Sequence, residues 1–143
     1  MNILIANNQK IVPIKREKVR GIVRRVLKSE GIKADEVSIV FCDDAFIHGL
    51  NKSWRGVDNP TDVLSFSLTE DNINLSGITA LGEVIISVET ALRQAGECCH
   101  PIERELEILL IHGLLHLIGY DHSVDDWEQD EMCRRQRALV DGD

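Results

Sequence analysis

The sequence predicts an α+β fold, about four strands in one sheet packed with about five helices. Apolar residues recur along the chain with two different periods, 3.6 in some segments and about 2 in others. A segment near residue 110 is apolar enough to be a buried helix, which needs a sheet to lie against. The 143 residues, 43% hydrophobic and 28% charged, suit one domain spanning 1–143 that buries about two-thirds of its unfolded surface.

The elements follow in order. Asn2 to Ala6 reads as a short strand. Ile14 to Glu30 reads as an amphipathic helix, because Val19, Ile22, Val23, Val26 and Leu27 form an i, i+3, i+4, i+7, i+8 stripe. Its opposite face carries Arg16, Arg20, Arg24 and Lys28, and Gly31 ends it. Val37 to Cys42 is β-branched and aromatic, hence a strand. Asp43 or Asp44 caps a helix running to about Trp54. Arg55 to Pro60 is turn chemistry. Thr61 to Leu68 alternates as a strand, Asp71 to Gly77 is a polar loop, and Leu81 to Val88 is the last strand. The short connection between those two strands favours antiparallel pairing; strand order is not legible. Glu89 to Cys99 is helical, and Pro101 opens a long helix from Ile102 to Ile118. That helix packs against the sheet. A charged tail helix, Val124 to Val140, offers Trp127, Met132 and Leu139 for docking.

Charge and cysteine content narrow the function classes. Residues 1–60 hold eleven Lys/Arg against seven Asp/Glu, a balance of +4. Residues 61–143 hold five against seventeen, a balance of −12, so the net −8 hides a basic half. MNILIANNQK lacks the basic n-region of a signal peptide, and no apolar run approaches a membrane span. Cys42, Cys98, Cys99 and Cys133 have no CxxC spacing. The expectation is a cytoplasmic protein with reduced thiols and no membrane partner.

The string HGLLHLIGYDH carries the chemistry. His112 and His116, four apart, share one helix face with Cβ atoms roughly 5–6 Å apart, so both imidazoles reach one ion. Gly119 lets the chain leave the helix and turn His122 back as a third ligand. Three histidines with one open position describe a catalytic rather than a structural zinc site. The spacing repeats the metzincin HExxHxxGxxH pattern except that Gly113 stands where a peptidase keeps its glutamate base. Phosphodiester cleavage instead requires cations around an oxygen-rich transition state, and Arg55 in WRGVDNPTD is the candidate second cation. On local grounds Arg55 serves equally to neutralise a helix C-terminus.

HGLLHLIGYDH, WRGVDNPTDVLSF and LGEVIIS, in that order, resemble the YbeY family of bacterial metal-dependent endoribonucleases over essentially the whole chain. Glu83 and Ser67 depart from the aspartate and proline usual in that family. The resemblance implies a single-strand-specific RNA endonuclease acting in ribosomal RNA maturation and ribosome quality control. It further implies one zinc on His112, His116 and His122, an essential arginine at Arg55, and ribosomal or ribosome-associated protein partners. In the expected arrangement RNA lies between the basic helix face, with Arg20 and Arg24, and the metal. Two other readings stand beside it: a non-catalytic ribosome-assembly factor whose metal is structural, and a zinc metallopeptidase.

Overall fold

The computed structural model describes residues 1–68, 79–119 and 131–141. Four strands form one mixed sheet: β1 (Asn2–Asn7), β2 (Glu36–Cys42), β3 (Val63–Ser67) and β4 (Ala80–Ser87), in the order β1-β2-β4-β3. β1, β2 and β4 run parallel, and β3 pairs antiparallel with β4 as the outer strand, Val63 opposite Ile86 and Ser67 opposite Gly82. The five helices are α1 (Arg16–Ser29), α2 (Asp44–Arg55), α3 (Val88–Glu97), α4 (Ile102–Leu117) and α5 (Glu131–Asp141).

Alternation along the strands sorts the core into two layers. Val37, Ile39, Phe41, Val84 and Ile86 face α1 and α4, where all five residues of the predicted α1 stripe are buried. Cys42 and Ile85 point the other way, with Leu64, against Ile47 of α2. Burial and the neighbouring Asp43 and Asp44 push the Cys42 thiol up to about 12, so it is an inert core group. Leu109, Leu110, Ile111, Leu114, Leu115 and Leu117 are all buried, as the apolar run of α4 requires.

Local chemistry sets the ends. Of the two aspartates proposed as caps, Asp43 takes the role, its side chain accepting from the Phe46 amide at 2.9 Å. β3 starts at Val63, two residues later than the alternation suggests, although the Ser87 amide of β4 still donates to the Asp62 carbonyl at 2.9 Å. Among the described residues no helix is long and apolar enough to cross a membrane. The expected loop at Asp71–Gly77 and the start of the tail helix, with Trp127, lie outside the described residues. α5 docks through Leu139, which is buried, and through Arg135, whose Nε donates to Glu30 at the end of α1 at 2.8 Å.

Candidate metal centre

α4 lies so close to the sheet that Gly113 has no room for a side chain. A Cβ there would meet Val84 Cγ1 at 2.5 Å, and Ser65 Oγ and Val63 Cγ2 at 3.2 Å. Ser65 Oγ donates to the Gly113 carbonyl at 2.8 Å and Ser67 Oγ to the Leu117 carbonyl at 3.3 Å, fastening the helix along β3. With Gly113 turned to the strands, His112 and His116 fall on the half-buried flank. Their Nε2 atoms converge to 3.1 Å, with ring centroids 4.7 Å apart and planes at 71°.

Two imidazoles bound at about 2.0–2.1 Å to a tetrahedral zinc hold their nitrogens about 3.3 Å apart. The observed spacing fits. Nδ1 of His112 lies 2.7 Å from Oε1 of Gln136 on α5. An amide oxygen only accepts, so Nδ1 carries the proton and Nε2 keeps the lone pair a metal needs. Gly119 leaves the helix at φ +108°, as its glycine identity foretells. His122, Tyr120 and Asp121 lie outside the described residues, and among those described no group of three or more His, Cys, Asp or Glu side chains could hold a metal.

Both histidines open onto a cleft of about 490 Å³, shared with Arg55, Asp62 and Ser65. Arg55 comes from the C-terminus of α2 and reaches round the outer strand from the opposite face. Buried Asn51 helps to hold it there: its Oδ1 accepts from Arg55 Nη1 at 3.4 Å, and its Nδ2 donates to the Asn59 carbonyl at 2.8 Å, pinning the loop. Among the described residues Arg55 has no carboxylate within ion-pair distance, so its charge is available to an anion. Asp62, in contrast, is committed: its Oδ1 accepts from the Val63 amide at 2.7 Å and its Oδ2 from Gln94 Nε2 at 3.3 Å.

The structure thus brings Arg55 of α2 together with His112 and His116 of α4, which lie 57 and 61 residues further along the chain. The expected arrangement sets the basic face of α1 across from the metal; none of the α1 side chains lines this cleft. Arg20 instead pairs with Glu17 at 2.6 Å, and Arg16 donates to the Ile5 carbonyl at 2.8 Å. The basic row is a face of a helix packed over β1 and β2, at the other side of the sheet from β3. Sequence reasoning passed over Asp62, Ser65 and Gln136. The first two stand inside the WRGVDNPTDVLSF segment and were open to notice; Gln136 had no motif around it.

Residues 4–142 match the family model described as endoribonuclease YbeY. The chain belongs to the endoribonuclease YbeY family. An endoribonuclease YbeY of Pelotomaculum thermopropionicum is 46% identical, over 99% of this chain and 96% of its own length. One from Moorella thermoacetica is 44% identical, over 99% and 97%. The solution structure of a Thermotoga maritima protein matches with a TM-score of 0.66 at 30% identity, covering 97% of this chain and 87% of that one. The α+β sheet order and the cleft described above are therefore those of a YbeY chain, and the metzincin-like histidine spacing belongs to a family named for RNA cleavage.

Proposed function

We propose that this chain is a zinc-dependent endoribonuclease that cuts single-stranded RNA, ribosomal RNA in the cell, with His112, His116 and His122 holding one zinc and Arg55 gripping the scissile phosphate. One observation carries the reading: a pair of convergent imidazoles and a guanidinium that has no carboxylate partner among the described residues face one cleft from opposite sides of an outer strand. The donor set suits zinc, being all neutral nitrogen with the His112 proton placed away from the ion. Bound there, zinc supplies a Lewis acid and a water that ionises near neutral pH.

The protein's own residues do the rest. Arg55 presents a planar fork that matches two phosphate oxygens and stays charged throughout, so it gains most when charge builds in the transition state. Asn51 and the Asn59 loop hold that fork without neutralising it. The peptidase alternative lacks its base: Gly113 stands where a peptidase keeps its glutamate, and even a Cβ there would meet Val84 Cγ1 at 2.5 Å. The ribosomal setting, the cytoplasmic location and any ribosomal protein partners rest on the family resemblance.

The test is a cleavage assay on single-stranded RNA with and without chelator, coupled to metal analysis. Arg55→Ala is expected to keep its zinc and lose roughly 10²-fold or more in kcat, the size of one transition-state donor. His116→Ala is expected to lose zinc and cleavage together. Full zinc occupancy in His116→Ala, or unchanged turnover in Arg55→Ala, overturns the assignment.

A further inference from the structure

Trp54 is the most exposed large apolar side chain among the described residues, 71% open to solvent, and it immediately precedes Arg55. Its ring is not loose. Phe66 of β3 meets it edge-on, with centroids 5.9 Å apart and planes at 64°. The pair is continuous with the cleft along one face of β3, since Leu64, which lines the cleft, and Phe66 both point to the α2 side. Beyond Phe66 a second cavity of about 240 Å³ opens on the same sheet face, floored by Gly82 and edged by Glu36 and Glu83. Those carboxylates repel phosphate, so the uncharged parts of a nucleotide suit this side, and of these the base is the one that can stack on an aromatic ring.

We propose that Trp54, steadied by Phe66, is a stacking platform for an unpaired RNA base adjoining the phosphate held by Arg55. This rests on the nuclease reading above and supplies a reason for single-strand preference. A base in a duplex is stacked on its neighbours and cannot lie on the indole, whereas a splayed base can. Stacking recognises any base and favours the larger ring, so purines are preferred over pyrimidines at that one position.

The experiment uses zinc-loaded protein and short single-stranded RNAs carrying one abasic nucleotide, moved stepwise across the cleavage site. For the natural chain one flanking abasic position is expected to raise KM roughly 10-fold, within the range of one base–aromatic stack, with kcat changed less than about threefold. Trp54→Ala is expected to raise KM by a similar factor on intact RNA and to be indifferent to the abasic nucleotide at that position. The two losses overlap because they remove the same contact. Trp54→Phe, which keeps an aromatic face, retains most of the affinity, and the exposed position leaves the melting temperature of all variants unchanged. Multiplying losses, or an unchanged KM in Trp54→Ala, overturns the platform while leaving the nuclease reading intact; the strip then serves another partner. If no RNA is cut at all, the nuclease reading fails. Anisotropy titrations of the same RNAs against the same variants then decide the platform alone, equal binding by Trp54→Ala rejecting it.

Discussion

At Gly113 a missing side chain does more for the site than most of the side chains present. It lets α4 settle onto β3 and β4, and this in turn aims His112 and His116 at the cleft. Gly113→Ala gains about 1 kcal/mol in helix propensity. It also places a carbon 2.5 Å from Val84 Cγ1, an overpacking that costs about 1–3 kcal/mol. A net destabilisation of about 1 kcal/mol is expected in urea titrations, and Gly113→Ala is expected to cost less in a Val84→Ala background, judged against Val84→Ala itself, because the clash is relieved there. If the single variant is as stable as the parent, the close approach is not real. The same scale holds Gln136. Gln136→Leu removes the acceptor for His112 Nδ1 at nearly constant volume, and zinc affinity measured by chelator competition is expected to fall roughly 10-fold or more. Gln136→Glu keeps an acceptor and is expected to keep the affinity. Equal affinity in all three forms would show that Gln136 only docks α5.

At the scale of elements, Asp44 decides how α2 and α3 meet, and so where Arg55 ends up. Its carboxylate accepts from Ser87 Oγ and Thr90 Oγ1 at 2.6 Å and from Arg93 Nη2 at 2.9 Å. Partial burial raises its pKa, but the three hydrogen bonds and the Arg93 charge outweigh burial and hold the carboxyl below its usual value. A depressed carboxylate pKa stabilises the fold at all pH values above the unfolded value, about 3.9. That contribution is lost as pH falls through the lower, folded value. Denaturation midpoints should therefore be level in this respect from pH 7 to about 5 and decline below about 4. Asp44→Asn should start lower at pH 7 and decline less in acid. Parallel acid limbs for the two proteins would remove Asp44 from the account. The helices themselves needed none of this to be recognised. Their stripes are local in sequence, and α1 buries the five residues its periodicity names.

At the scale of the whole molecule, legibility follows distance along the chain. The histidine pair lies within one helix, so spacing alone gives its geometry, and the strand pairing of β3 with β4 follows from a short connection. Strand order, the convergence of Arg55 on the histidines round an outer strand, and the reach of Gln136 to a residue 24 positions away depend on packing that no local pattern encodes. The place of the α1 charge row outside the cleft was illegible for the same reason: periodicity says which residues share a face, not what the face looks onto. With zinc held as proposed, what ties α4 to α5 also makes the ion a partner in folding. A metal that binds the folded chain and not the unfolded one adds RT ln(1 + [Zn]/Kd), about 2.7 kcal/mol at a hundredfold excess over Kd. For a chain of this size that corresponds to a rise in melting temperature on the order of 8–12 °C. Both arms of the proposed site contribute: His112 is a proposed zinc ligand, and its Nδ1 meets Gln136 of α5. Calorimetric scans of chelated protein with zinc restored stepwise should show the rise, and His112→Ala, which also removes the contact to Gln136, should abolish the dependence on zinc. A melting temperature indifferent to zinc, or an equal rise in His112→Ala, places the ion elsewhere.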